Sequence, residues 1–215
     1  MYVKNYMTTN LIVIGPEASM IDANDLMKQH NINRLPVVEN ERLVGLITRS
    51  IIAENSPSGA TSLSKFELNY LLDKTKVKDI MEKQVIQISP DHLLEEAAVI
   101  MRNSNIGVLV VSENNQIKGI ITDKDIFRAF ADISGYNIPG SSVVVAVQQD
   151  RRGVIEEIGD ALLESDSNLT NLVVYHTEDG IRVVIHIDSD NPSDLVEKLK
   201  NRNLIVNSVQ VKEME

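Results

Sequence analysis

The chain has 215 residues, 43% of them hydrophobic but only 4% aromatic, so its cores must be built from Val, Ile, Leu and Met. Its 21 Lys and Arg stand against 31 Asp and Glu, a net charge of −10 with no basic block, and such a surface repels phosphate backbones, which argues against nucleic-acid partners. Cysteine is absent, which excludes disulfides, thiolate metal sites and Cys nucleophiles; no apolar run approaches the ~20 residues of a membrane span, and no signal-type stretch follows Met1, so a cytoplasmic protein is expected.

Read in chain order, the first 130 residues contain the same pattern twice. Val3, Lys4 and Met7 recur as Val77, Lys78 and Met81, and holding that offset of 74 over positions 3 to 52 pairs 18 identical residues. That is several times what unrelated sequences of average composition share. Each copy predicts a short apolar strand (Leu11 to Ile14; Val85 to Ile88), a turn at Pro16 or Pro90, and a helix through Ala23, Leu26 and Met27 or through Ala97, Ile100 and Met101. Two strands follow, Arg34 to Val38 and Leu43 to Thr48, matched by Val108 to Ser112 and Ile117 to Thr122, and a helix opens after each Thr. A unit of about 50 residues buries little surface alone, so the copies are expected to pack face to face about a pseudo-twofold axis. Between them, Ser64 to Glu67 has the form of a capping box leading into a helix through Leu68, Leu71 and Leu72.

Gly135, Pro139 and Gly140 mark a boundary. Beyond it the sequence predicts a strand at Val143 to Val147, a turn at Asp150 to Gly153 and a helix through Ile155, Ile158, Leu162 and Leu163. Strands at Leu172 to His176 and Ile181 to Ile187, a helix from Ser193 to Asn201 and a strand at Ile205 to Val211 complete the chain. This is a β-α-β-β-α-β order of the ferredoxin-like kind. The expected divisions are 1–55 and 77–134 for the repeats, 56–76 for an ordered linker and 141–215 for the last domain.

The pattern of Met, apolar strand, Pro, helix, "Leu-Pro-Val-Val" (35–38), a turn, then "Val-Gly-Leu-Ile-Thr" (44–48) resembles a cystathionine-β-synthase (CBS) domain, here as a tandem pair. With the linker from Ser56 to Leu72, the chain resembles the acetoin-utilisation protein B family, in which a CBS pair precedes a C-terminal ACT domain. The fold expected is therefore mixed α/β, a CBS pair plus a ferredoxin-like ACT domain. The resemblance implies a non-catalytic regulatory protein that senses an adenine nucleotide and requires no cofactor. It also implies a homodimer and a regulated partner of unknown identity.

Thr122-Asp123-Lys124-Asp125 carries the expected chemistry. A carboxylate at Asp125 can accept both hydroxyl protons of a ribose, and a helix start at Thr122 favours phosphate. The same spacing is that of an N-cap with an acidic first turn; both readings stand on the sequence. The resemblance places adenine against Leu11, Ile12, Ile32, Pro36 and Ile120, with Arg34 and Lys124 as phosphate contacts. In the first copy Ile51 stands where Asp125 stands in the second, and Val108 stands where Arg34 does. The mirror pocket of Thr48, Val85, Ile86, Ile106 and Val108 therefore lacks its acceptor, and one nucleotide site per chain is expected. In the last domain Asp150, Arg152 and Gly153 form a possible amino-acid loop, with dimerisation the stronger expectation. The four histidines fall in different elements, no metal site is expected, and no nucleophile–base set appears. The competing reading is a ligand-free dimerising scaffold.

Overall fold

A computed structural model describes residues 1–56, 72–114, 116–147 and 151–212. The chain divides into two compact units, Met1–Ile126 and Phe127–Glu215. The expected capping box at Ser64 to Glu67 and the helical residues Leu68 and Leu71 lie outside the described residues.

In the first unit each repeat folds around a helix and a β-hairpin. Helix α1 (Met20–Gln29) starts at Ser19, whose hydroxyl accepts the Asp22 N–H at 3.1 Å while Asp22 accepts the Ser19 N–H at 2.9 Å. This reciprocal cap satisfies two N–H groups that a helix start otherwise leaves unpaired. Strands β1 (Arg34–Glu39) and β2 (Arg42–Thr48) pair antiparallel, and a short helix α2 (Arg49–Glu54) follows Thr48. A one-turn helix α3 (Val77–Ile80) opens the second copy. Its β3 (Gln87–Ile88) runs parallel to β4 (Val108–Glu113), which pairs antiparallel with β5 (Gln116–Thr122). Helix α4 (Leu94–Ser104) lies between β3 and β4 in sequence, and helix α5 (Asp123–Ile133) follows β5. The hairpins share one register: Leu35 faces Ile47 as Leu109 faces Ile121. The identities Asn31/Asn105 and Asn40/Asn114 also acquire a reason. All four adopt φ between 48° and 52°, a left-handed conformation that Asn tolerates better than most residues.

The first predicted strand of each copy is shorter than expected. Leu11 to Ile14 forms only a single parallel bridge, Ile14 to Val37, and Val85 to Ile88 contracts to the two residues of β3. Gly15-Pro16 and Ser89-Pro90 turn the chain away before a longer ladder can form.

The sequence repeat and the folded half are offset from one another. Val3 and Lys4 donate backbone hydrogen bonds to His92 and Pro90, in the second copy; Val77 and Lys78 donate to Ala18 and Pro16, in the first. Thr8 exchanges two bonds with Ile120, as Glu82 does with Leu46. Every one of these contacts maps onto its counterpart by the offset of 74, so each copy's opening segment is stitched onto the other copy about a pseudo-twofold. Side chains follow suit. Lys4 binds Asp91 and Lys78 binds Glu17, both at 2.7 Å. A Cβ at Gly119 would stand 2.6 Å from the Thr8 carbonyl oxygen, and one at Gly45 would stand 2.9 Å from that of Glu82, so the crossing strand needs glycine at both. The core of the first half accordingly includes Val77 beside Met20, Met27, Leu35 and Ile47.

The second unit is a four-stranded antiparallel sheet in the order β7-β8-β6-β9, with β6 Gly140–Val147, β7 Leu169–Thr177, β8 Gly180–Ile187 and β9 Ile205–Lys212. Helices α6 (Val154–Glu164) and α7 (Ser193–Asn201) complete the β-α-β-β-α-β order. Alternate residues of the central strands, Val143, Val145, Val183 and Ile185, face Ile158, Ala161, Leu195 and Leu199 in one core. No helix among the described residues is long and apolar enough to cross a membrane.

Candidate functional site

Three segments of the first unit converge on one cavity of about 260 Å3. The stretch before the first bridge brings Thr8, Asn10, Leu11 and Ile12. The turn between α1 and β1 brings Asn31, Ile32, Asn33 and Arg34, and the junction of β5 with α5 brings Ile120, Thr122, Lys124 and Asp125. Eight of the nine residues named from the sequence are therefore lining residues. Pro36 is not: it is buried within β1, paired opposite Leu46, and its carbonyl accepts the Ile14 N–H.

The acidic end of the cavity is built by the start of α5. The Thr122 N–H and the Thr122 hydroxyl both donate to Asp125 Oδ2, at 2.9 and 2.8 Å. The carboxylate thus does cap the helix, as the plainer reading of Thr-x-x-Asp required. A carboxylate can accept roughly four hydrogen bonds, so capping and ligand binding are compatible. In the first copy Thr48 has no such partner; its hydroxyl accepts the Ile51 N–H at 3.3 Å.

The basic end is Arg34. Its guanidinium Nη2 lies 3.8 Å from Asp123 Oδ1, an ion pair between residues of the two copies, and the Arg34 side chain is 23% exposed. Asp123 Oδ1 also accepts the Lys124 N–H at 2.9 Å. Gly107 makes room for the pair, since a Cβ there would stand 2.8 Å from Arg34 Nη2 and 3.0 Å from Asp123 Oδ2. Sequence reasoning missed Thr8, Asn10, Asn31, Asn33 and Asp123. Asn31 carried a signal, being repeated as Asn105, and Asn33 and Asp123 are sequence neighbours of residues already named; Thr8 and Asn10 enter through the crossing of the chain, which no local pattern reveals.

The second unit has its own cavity, of about 360 Å3, with apolar walls from Val147, Val154, Ile155, Val174, Ile181 and Val183. Gly153 lines it, with φ at +90° at the start of α6. Arg152 does not; its neighbour Arg151 takes that place, and Asp150 lies outside the described residues. Arg151 makes a bidentate pair with Glu157, both bonds 2.7 Å, which holds the Glu157 carboxyl below the ordinary carboxylate range. Buried His186 is part of a polar link rather than of the cavity. Its Nε2 donates to the Ile138 carbonyl at 2.9 Å, so in the neutral ring Nδ1 accepts the Ser142 hydroxyl at 2.5 Å. His176 sits opposite Ile181 and His186 opposite Asn171, so the two histidines do not pair.

A duplicated helix–hairpin unit, stitched crosswise and enclosing a cavity with apolar walls and charged ends, defines the class: a paired-repeat module of mixed α/β fold. A family model described as the CBS domain matches residues 3–57 and 77–132, and the chain belongs to the CBS-domain family as a tandem pair. The CBS domain-containing protein YhcV of Bacillus subtilis is 30% identical over 125 residues, which are 58% of this chain and 81% of that protein. An inosine-5'-monophosphate dehydrogenase from Korarchaeum cryptofilum is 34% identical over 127 residues, 58% of this chain but 23% of the enzyme. The chain spans from about a quarter to about half of the length of the first curated relatives it matches. Among solved structures, the CBS domain pair of protein MJ0100 in complex with 5'-methylthioadenosine and S-adenosyl-L-methionine is 28% identical with a TM-score of 0.51. That alignment covers 61% of this chain and 97% of the other. A Vibrio cholerae structure described as an acetoin utilization protein, 24% identical with a TM-score of 0.52 over 65% of this chain and 98% of that one, is a likeness of fold.

Proposed function

We propose that this chain is a non-catalytic regulatory protein whose CBS pair senses an adenosine-containing small molecule in the 260 Å3 cavity of the first unit. Leu11, Ile12, Ile32 and Ile120 supply an apolar slot for the base. Asp125 accepts from the ribose hydroxyls, with Thr122 beside it, and Arg34 and Lys124 meet the 5' substituent. The observation that carries this reading is the convergence of an apolar wall and a capped carboxylate on one cavity, contributed by both copies. The bound adenosine derivatives of the 28%-identical MJ0100 pair support it. The match to inosine-5'-monophosphate dehydrogenase covers only that enzyme's CBS portion and brings no catalytic residues. Ligand binding regulates only if it favours one pose of the two copies over another.

The second unit reads as an ACT-like domain, with the strand order β7-β8-β6-β9 in support. Its role is dimerisation or amino-acid sensing, the latter at the cavity beside Gly153. A homodimer and a regulated partner protein complete the proposal. The alternative, a ligand-free dimerising scaffold, is favoured by one observation: Thr122 and Asp125 already satisfy one another as a helix cap.

Thermal melts of the full chain against adenosine, AMP, ATP, cyclic di-AMP, 5'-methylthioadenosine, S-adenosylmethionine and NAD separate the two. A ligand at 100 times its Kd adds about 2.7 kcal/mol to stability, and the expected result is a raised Tm that disappears in Asp125→Ala. A panel with no response, or a response that survives Asp125→Ala, rejects the sensor.

A further inference from the structure

Among the described residues, the charged side chains that line the nucleoside cavity and Asp123 beside them balance. Arg34 and Lys124 are offset by Asp125 on the cavity wall and by Asp123, which holds Arg34 from outside it. The positive end of helix α5 is likewise answered, because Asp123 and Asp125 both lie in its first turn and Asp125 accepts the Thr122 N–H. The protein as a whole carries −10. The cavity, at about 260 Å3, falls below the roughly 300–1,000 Å3 of common small-molecule sites. A polyphosphate brought here meets no net positive field from these four side chains.

From this balance we infer that the site selects nucleosides whose 5' substituent is neutral, zwitterionic or a single phosphate, and that Asp123 is the residue that sets this limit. The inference rests on the adenosine-binding reading above and specifies the ligand class for the same cavity. Asp123 acts as a positioning and charge-setting residue. It holds the Arg34 guanidinium across the interface of the two copies, in the space that the absent side chain of Gly107 leaves open. The matched position in the first copy is Arg49, whose guanidinium donates to the Met27 carbonyl at 3.4 Å; the limiting carboxylate belongs to one copy alone.

The test is calorimetric titration of the full chain with adenosine, AMP and ATP, with divalent cations chelated, on the wild type, Asp123→Asn and Gly107→Ala. In the wild type ATP binds about tenfold or more weakly than AMP, and the gap narrows with added salt. Asp123→Asn strengthens ATP binding about tenfold while moving adenosine by less than about threefold, since one carboxylate charge has been removed without touching base or ribose contacts. Gly107→Ala keeps every charge but displaces the guanidinium, so it weakens AMP and leaves adenosine in place. ATP binding as tightly as AMP to the wild type overturns the inference, as does an equal change for adenosine and ATP in Asp123→Asn. Those results leave the nucleoside site standing; a wild type that binds none of the three, and neither 5'-methylthioadenosine nor S-adenosylmethionine, removes the site itself.

Discussion

At the end of its second hairpin strand, each copy of the repeat places a threonine at the start of a helix, yet the two helices begin with different chemistry. Thr48 is followed by Arg49 and Ile51; Thr122 is followed by Asp123 and Asp125. Upstream, the turn into the hairpin ends in Arg34 in one copy and Val108 in the other. The backbone is common to both, down to the crossed hydrogen bonds from Val3 to His92 and from Val77 to Ala18. The differing side chains are not scattered. Arg34 from the first copy and Asp125 from the second line one cavity, with Asp123 paired to Arg34 beside it, whereas Val108, Ile51 and Arg49 occupy the matched positions. The comparison teaches that the duplicated frame is shared by both copies, while the charged side chains that meet at a cavity stand at one of two pseudo-equivalent places.

If the frame is shared equally, matched core truncations must cost alike. Leu35 and Leu109 are both fully buried in equivalent registers, so Leu35→Ala and Leu109→Ala should each lower the unfolding free energy by about 3 kcal/mol. Denaturant midpoints of the two variants measure this, and a difference above about 1.5 kcal/mol breaks the equivalence. The crossing segments sharpen the same point. Val3 and Val77 are fully buried although each opens its copy, and Val3→Ala or Val77→Ala should cost about 2 kcal/mol apiece. A negligible cost for Val3→Ala would mean that Met1 to Thr8 is not stitched onto the second copy in solution.

The smallest expected difference is in the helix caps. Asp22, bonded to the Ser19 N–H and hydroxyl, has its carboxyl held below the ordinary aspartate range by those bonds. At the matched cap Glu96 accepts only the Leu93 N–H, at 3.0 Å, because Leu93 has no hydroxyl to offer. Asp22→Ala should therefore cost about 1 kcal/mol, and more than Glu96→Ala. The pH dependence has a definite sign. The folded-state pKa of Asp22 is depressed, so its stabilisation is present above the unfolded value of about 3.9 and is lost as pH falls through the lower folded value. Melts of wild type and Asp22→Ala should converge as the pH is lowered through that range; a gap independent of pH contradicts the cap.

Much of this architecture was visible as pattern. The period of 74, the paired Pro, Gly and Asn residues and the apolar runs of β6 and β8 are legible in the sequence, and the paired Asn have a local steric reason, their left-handed φ. The Thr-x-x-Asp spacing likewise announced a helix start, and the structure makes the cap it implies. The family resemblance places Pro36 against the base at the Leu-Pro step, but Pro36 is buried within β1 and does not line the cavity.

What the residues determined unaided was the repeat, its elements and the presence of one acidic helix start rather than two, since these depend on contacts within a few positions along the chain. Only the tertiary structure decided that each opening segment serves the opposite copy, that Gly45 and Gly119 are needed where those segments pass, and that Asp123 reaches Arg34 across the space at Gly107. Those facts join residues tens of positions apart. Nothing in the spacing of charges along a chain states which of them will face one another once two copies have exchanged their opening segments.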